Sequence, residues 1–107
     1  MRRAARLDGN HKEVVDALTK IGATVQSLAS MHGGVPDLLE GYHGKNVLLE
    51  VKDGNLPPSA RTLTLDELQW QERWGGQVKT VGSAEEAQRV VIDVCLGKRD
   101  LVSDPPK

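Results

Sequence analysis

Three ionisable residues lie in two short apolar stretches of this sequence. Asp37 opens the first stretch, before two leucines, and Glu50 and Lys52 end the second, which runs over residues 46–52. Such stretches are typical of buried strands, in which an ionised group is costly unless something pairs with it. Side chains alternate along a strand, so Glu50 and Lys52 are expected on one face. The pattern therefore indicates a site that uses charge.

The segment between the two stretches predicts how Asp37 and Glu50 meet. Residues 42–45 have the composition of a hairpin turn, with Gly44 available for a positive φ angle. With the turn centred between residues 43 and 44, residue 42 faces residue 45, and Asp37 faces Glu50 with Cβ atoms about 4.5–5.5 Å apart. Like charges at that distance repel each other. Two carboxylates beside Lys52 therefore predict a divalent-metal site.

The rest of the chain predicts the elements that would position this site. Asn10, Thr64 and Ser83 each stand three residues before a glutamate, the spacing of a capping box, and each precedes a run with helical periodicity. Short strands are expected over residues 24–29, from residue 36, over 46–52 and over 77–81. The order α-β-β-β-α-β-α predicts an α/β domain with a hairpin at its centre and helices packed on the sheet.

Composition places the chain among globular domains. Its 107 residues, 38% hydrophobic and 27% charged, predict a single domain spanning residues 1–107, with a basic N-terminal arm over residues 1–8 and a flexible tail over residues 98–107. A net charge of −1 provides no global basic field for nucleic acid. The single cysteine, Cys95, excludes an intramolecular disulfide. With no membrane-spanning run and no signal-peptide pattern, we expect a cytoplasmic location.

Two motifs resemble a known nuclease signature. Residues 34–39 read Gly-Val-Pro-Asp-Leu-Leu and residues 49–52 read Leu-Glu-Val-Lys, which resembles the PD-(D/E)XK nuclease pattern. A helix bearing Glu13 precedes them, and a helix with Glu67 follows. Over roughly residues 8 to 95 the arrangement is similar to the VRR-Nuc group and to Holliday-junction resolvases, especially small stand-alone phage versions. The resemblance implies a restriction-endonuclease-like core, with a mixed sheet flanked by helices.

The resemblance also implies a chemistry. Hydrolysis of a phosphodiester needs an attacking water and charge neutralisation, which Mg²⁺ can supply, and Mn²⁺ can substitute for it. Asp37, Glu50 and the main-chain carbonyl of Val51 would hold the metal, and Lys52 would orient or activate the water. Glu13 matches the acid on the first helix of these nucleases, which holds a metal-bound water or a second ion. Asn10 offers Glu13 a capping role instead.

Further residues are weaker candidates. Glu67 and Gln71 are expected to contact the residues that hold the metal. Glu67 also fits a capping box with Thr64, and the related nucleases often carry glutamine at the position of Glu67. Trp70 and Trp74, one turn apart, are predicted to pack in the core rather than to stack on bases. The candidate DNA contacts, each of which can also be ordinary solvated surface charge, are Lys12, His43, Lys45 and Arg61.

The leading hypothesis is a Mg²⁺-dependent DNA endonuclease that selects branched substrates such as a four-way junction. Resemblance suggests that it acts as a homodimer in a bacterial or phage-infected cell. Two alternatives remain open. One is a non-catalytic nucleic-acid-binding or assembly subunit with the same fold, against which the presence of Asp37, Glu50 and Lys52 argues. The other is a nicking nuclease that acts with a partner protein. At the residue level, Asp37 can instead be a strand-edge residue, and Glu50 and Lys52 a surface pair.

Overall fold

The computed structural model describes residues 9–97, and the predicted arm (1–8) and tail (98–107) lie outside them. The predicted α/β class and element order are confirmed, with an added 3-10 turn at Pro58–Ala60. No helix within residues 9–97 is long and apolar enough to cross a membrane. The elements are α1 (His11–Lys20), β1 (Thr24–Ser27), β2 (Leu38–Tyr42), β3 (Lys45–Val51), α2 (Leu65–Arg73), β4 (Val78–Val81) and α3 (Ala84–Leu96).

The four strands form one mixed sheet in the order β1-β2-β3-β4. The first two pairings are antiparallel, and β4 runs parallel to β3. Tyr42 pairs with Lys45, as the turn position predicted. His43 and Gly44, between them, have φ angles of 53° and 80°, the positive values that tight two-residue hairpin turns need. The same register, continued one step past the end of β2, places residue 37 opposite residue 50.

The two faces of the sheet are covered differently. α1 and α3 pack on one face, where alternate β3 residues (Val47, Leu49 and Val51) join the hydrophobic core. Glu40 of β2 points to this same face and is fully buried. The opposite face carries Glu50 and is covered in part by α2, which has no buried residue. One face therefore holds the hydrophobic core together with Glu40, while the other bears Glu50.

The two tryptophans of α2 lie outside the core, so the prediction that they pack inside it is wrong. Trp70 and Trp74 stack on each other with ring centroids 4.7 Å apart and planes 20° apart. Trp74 keeps 45% of its surface exposed. The reason is that α1 and α3 already fill the core-facing side of the sheet, so α2 lies over the other side, where the indoles shield mainly each other.

Two of the three predicted capping boxes need correction. The box of Thr64 and Glu67 is present in full. Asn10 makes no side-chain cap bond, and its amide instead donates to the carbonyls of Lys52 at 3.2 Å and of Gly82 at 3.0 Å. These bonds tie the start of α1 to the ends of β3 and β4, where the Gly82 carbonyl also accepts the Gly54 N–H at 2.9 Å.

At α3 only half of the predicted box forms. The Ser83 hydroxyl accepts the Glu86 N–H at 3.0 Å, as expected for a helix cap. The Glu86 carboxylate, however, accepts the N–H of Gly82 at 2.7 Å, one residue before the cap. The turn between β4 and α3 is tight enough to bring that earlier N–H within reach.

Candidate active site

Asp37 and Glu50 meet at the end of the β2–β3 hairpin. Asp37 directly precedes β2, and its Oδ2 accepts the backbone N–H of Val51 at 2.8 Å. Its own carbonyl accepts the N–H of Leu28 at 2.7 Å, so the residue is held from both neighbouring strands. Glu50, near the end of β3, is only 3% exposed. The hairpin register thus brings two carboxylates together in a place that water scarcely reaches.

Electrostatics at this pair disfavour two negative charges. Burial raises the pKa of Asp37 above its usual value, and hydrogen bonds from Val51 and Glu50 oppose that rise. For Glu50, burial and the nearby charges of Asp37 and Glu67 raise the pKa to about 9. Oε1 of Glu50 is buried and has no hydrogen-bond partner among the described residues. A cation bound here would relieve both the repulsion and the unpaired oxygen.

Lys52 stands beside the pair and is fixed by α2. Its Nζ lies 3.7 Å from Oε2 of Glu50 and 2.8 Å from Oε1 of Glu67. Burial alone would raise the pKa of Glu67, but hydrogen bonds from Lys52 and from the Thr64 N–H lower it below its usual value. One carboxylate therefore caps α2 and holds the lysine, while the support that Glu67 would give to a metal site stays a prediction.

Gly34 explains how the start of α2 comes to the site. Its φ angle is +87°, a conformation that favours glycine. A Cβ at this position would meet the carbonyl oxygen and carbon of Asp66 and the nitrogen of Glu67. Only a residue without a side chain lets the loop before Asp37 lie against the first turn of α2, which carries Glu67.

The start of α1 brings a residue that the sequence did not single out. A positive charge on His11 helps to lower the pKa of Asp37, and the Nδ1 atom of His11 is buried without a partner among the described residues. Glu13 is exposed, and side chains two positions apart on a helix diverge by about 200°. His11 is therefore the side chain that α1 directs toward the carboxylates, and the catalytic role of Glu13 stays a prediction.

A comparison with solved structures places this arrangement in a known fold. A structure described as a "VRR_NUC domain" matches 76% of this chain and 88% of its own, with 28% sequence identity and a TM-score of 0.57. The chain has a VRR-Nuc-like nuclease fold. The resemblance drawn from the two motifs is thereby confirmed. No family model and no curated protein sequence matches the chain.

The predicted DNA contacts lie at three separate places on this VRR-Nuc-like domain. Lys45 and His43 are in the β2–β3 turn, where the His43 ring packs edge-on against Tyr42. Lys12 is exposed on α1 and pairs with Asp16 at 2.8 Å. Arg61 donates through Nε to the carbonyl of Leu56 at 2.6 Å. The structure does not gather them into one basic patch, so their roles stay predictions.

The residues of the VRR-Nuc-like site fit a hydrated divalent cation better than a fully protein-coordinated one. Within residues 9–97, no three His, Cys, Asp or Glu side chains form a group that could hold a metal ion. The Asp37–Glu50 pair, with the main chain of Val51 beside it, offers a few oxygen ligands, and Mg²⁺ commonly keeps several waters when bound this way. Gln71, one turn after Glu67, has a buried Nε2 with no hydrogen-bond partner within residues 9–97, and its role stays a prediction.

Proposed function

We propose that this protein is a divalent-metal-dependent endonuclease that hydrolyses phosphodiester bonds in DNA. The observation that carries the proposal is the pairing of half-buried Asp37 with buried Glu50, with Lys52 at 3.7 Å from Glu50. Two carboxylates held together away from water lower stability, and strongly shifted pKa values of this kind cluster at functional sites. The VRR-Nuc-like fold supports the same activity.

Each side chain has a distinct part in the proposed reaction. When bound, a divalent cation such as Mg²⁺ or Mn²⁺ supplies charge neutralisation at the phosphate and makes a bound water more acidic. Asp37, Glu50 and the main-chain carbonyl of Val51 would hold it. Lys52, steadied by Glu67 at 2.8 Å, would contact the attacking water or the phosphate. Glu13, which is exposed on α1, would act through a metal-bound water.

The proposal extends to branched DNA and to a homodimer. A net charge of −1 fits recognition of DNA shape better than broad electrostatic capture. A chain of 107 residues has little surface with which to grip a duplex, so two copies on one branched substrate would provide the missing contacts. Sedimentation analysis tests the dimer directly, and a mass of one chain at all working concentrations would exclude it.

Cleavage assays test the activity. The protein is incubated with four-way junction, flap, nicked and linear DNA, in Mg²⁺ or in EDTA. We expect cleavage only with Mg²⁺ and fastest on a branched substrate. Absence of metal-dependent cleavage of every substrate by folded protein would leave a non-catalytic DNA-binding subunit, and activity restored by a second protein would indicate a nicking partner.

Substitutions connect the activity to the site. Asp37→Asn and Lys52→Ala should each lower the cleavage rate by at least about 100-fold. The matched controls are Asp66→Asn, an exposed acid in the first turn of α2, and Lys79→Ala, an exposed lysine of β4, which should stay near wild-type activity. Asp37→Asn should unfold at the same urea concentration as wild type or a higher one, because it removes one of two repelling charges. Strong destabilisation would instead assign Asp37 a structural role.

A further inference from the structure

An apolar groove of about 620 Å³ lies under α2. The stacked indoles of Trp70 and Trp74 line one side, and Leu39 and Leu48 of the hairpin line another. The groove is also lined by three exposed residues that bring polar groups to its edge, namely Lys45, Asn46 and Gln77. The Gln77 amide donates to the Asn46 carbonyl at 2.7 Å. The groove is thus apolar along its walls and polar at its edge.

The groove adjoins the candidate active site. Leu39 and Leu48 face each other across β2 and β3, and strand alternation puts them on the same face as Asp37 and Glu50. Leu39 is two residues after Asp37, and Leu48 is two residues before Glu50. Each leucine is therefore about 6–7 Å along its strand from the carboxylate. α2 spans both regions, because Glu67 lies in its first turn and Trp70 one turn later. If a phosphate of a DNA strand reached the carboxylates, the next nucleotide of that strand would lie at the groove.

The Trp74 indole, stacked on half-buried Trp70, is open to a ligand. Trp74 is 45% exposed and Leu39 is 36% exposed, and neither indole belongs to the hydrophobic core. Exposed aromatic faces beside a phosphate-binding site are the stacking platforms of proteins that hold unpaired nucleotides, because every base has a π-face. Bases inside a duplex are already stacked on each other and cannot enter such a groove.

We propose that this groove binds an unpaired nucleobase of DNA next to the phosphate that is cut. The base stacks on the Trp70–Trp74 pair, Asn46 lies at its polar edge, and Lys45 contacts an adjoining phosphate. The proposal rests on the proposed nuclease function and narrows its substrate class to DNA with unpaired nucleotides at the cleavage point, such as flaps, gaps and opened junctions.

Binding measured in EDTA tests the groove without requiring cleavage. The intrinsic tryptophan fluorescence of the wild-type protein is followed during titration with an oligothymidylate strand, with a blunt duplex and with the same duplex carrying an unpaired flap. We expect quenching by the single strand and by the flap, and little change with the blunt duplex. Equal quenching by all three DNAs would overturn the proposal.

Substitutions in α2 make the test specific. With labelled DNA and anisotropy as the readout, Trp74→Ala should weaken single-strand and flap binding by about 5- to 150-fold and leave blunt-duplex binding unchanged. Trp74→Phe keeps an aromatic face and should retain most of the affinity. Leu68→Ala shortens an exposed side chain of the same helix that does not line the groove, and it should change neither. Circular dichroism establishes that each variant is folded.

The outcomes separate this inference from the nuclease proposal. Quenching by unpaired DNA in a protein that cleaves nothing would support the base site and contradict the nuclease. Metal-dependent cleavage with Trp74→Ala at wild-type affinity for all DNAs would overturn the base site and leave the nuclease standing. The tryptophan fluorescence could instead stay constant when DNA is added and change with protein concentration. Together with a solution mass of two chains, that result would assign the groove to a second copy and overturn the inference as well.

Discussion

Glu50 is the residue at which stability and the proposed function conflict most directly. It is 3% exposed, its Oε1 has no partner among the described residues, and its pKa is raised to about 9 by burial and by neighbouring carboxylates. A charged form in this position is costly, so the metal-free protein carries a local destabilisation that a cation would relieve. The site is arranged for a ligand rather than for the stability of the free protein.

Glu50→Gln tests this conflict. In EDTA at about pH 7, the variant should be more stable than wild type by on the order of 1–3 kcal/mol, because a neutral amide needs no proton on folding, whereas Glu50 must take one up at this pH. Urea denaturation followed by circular dichroism gives the free energy of unfolding. Glu72→Gln, at an exposed acid of α2, should change it by less than about 0.5 kcal/mol. A destabilised Glu50→Gln would show that the carboxylate holds the fold together.

Sequence could predict the centre of the site because that centre depends on local rules. Strand alternation and the position of one turn suffice to bring Asp37, Glu50 and Lys52 together, and the register of β2 and β3 follows the turn. The apolar stripe of α1 sets the face that it turns to the sheet, but the side chains at its very start have no such local rule. Their placement depends on Asn10, whose bonds reach Lys52 and Gly82 across 42 and 72 residues of chain. His11 was missed for that reason, since nothing near it in the sequence marks its direction.

At the scale of elements, α2 is held mainly by contacts at its first turn. It buries no residue, so it lacks the apolar stripe that fixes α1 and α3 on the sheet. Its placement depends on the Lys52–Glu67 ion pair and on the close approach of Gly34 to Asp66. Sequence indicated where α2 begins, through Thr64 and Glu67, but the surface it covers depends on that backbone approach, which no periodicity encodes.

Gly34→Ala should therefore displace the start of α2. A Cβ there would stand 2.3 Å from the Asp66 carbonyl oxygen, while a Cβ on Gly33 would meet nothing within 4 Å. Both glycines have positive φ angles, +87° and +80°, so each alanine pays a similar backbone cost of about 1–2 kcal/mol. Only Gly34→Ala adds a clash with the Asp66 backbone, so its free energy of unfolding should fall clearly further than that of Gly33→Ala. Its cleavage rate should also fall at least about 10-fold, because Lys52 loses its contact with Glu67.

The paired glycine variants are compared by urea denaturation and by cleavage of the best substrate. Gly33→Ala sets the cost of the backbone conformation alone. If the two alanines behaved alike in both measurements, the contact of the Gly34 loop with α2 would have no part in positioning Lys52, and the placement of Glu67 would need another cause.

At the scale of the whole molecule, the sheet separates stability from the proposed function by face. α1 and α3 cover the face that holds the apolar core, whereas α2 only partly covers the face with the carboxylates and the tryptophan groove. Glu40 is the exception, since it is buried on the core face beside Cys95, whose Sγ donates to its Oε2 at 3.5 Å. Burial raises the pKa of Glu40 to about 7. Both faces therefore contain a carboxyl group that favours its protonated form.

Stability should consequently fall as pH rises. The pKa values of Glu40 and Glu50 in the folded chain, about 7 and about 9, lie above the usual carboxyl value of 4.5. Between about pH 4.5 and 9 the folded state thus binds more protons than the unfolded state, and the free energy of unfolding decreases with pH. Their contribution is complete below about pH 4.5 and is lost as pH passes through 7 and then 9.

Urea denaturation at several pH values, in EDTA and in saturating Mg²⁺, separates the two groups. In EDTA the free energy of unfolding should drop by several kcal/mol from about pH 5 to about pH 9, since each extra proton on the folded state is worth about 1.4 kcal/mol per pH unit. Mg²⁺ should remove most of the drop above about pH 7, since a cation bound by Asp37 and Glu50 takes the place of the proton there. Glu40→Gln should make the drop below about pH 7 less steep, because Glu50 alone then contributes to it, and should keep the response to Mg²⁺, because Glu40 lies on the opposite face of the sheet. If the free energy of unfolding in EDTA stayed constant or rose with pH, neither Glu40 nor Glu50 would be held in its protonated form. The proposal of a cation between Asp37 and Glu50 would then lose its electrostatic basis.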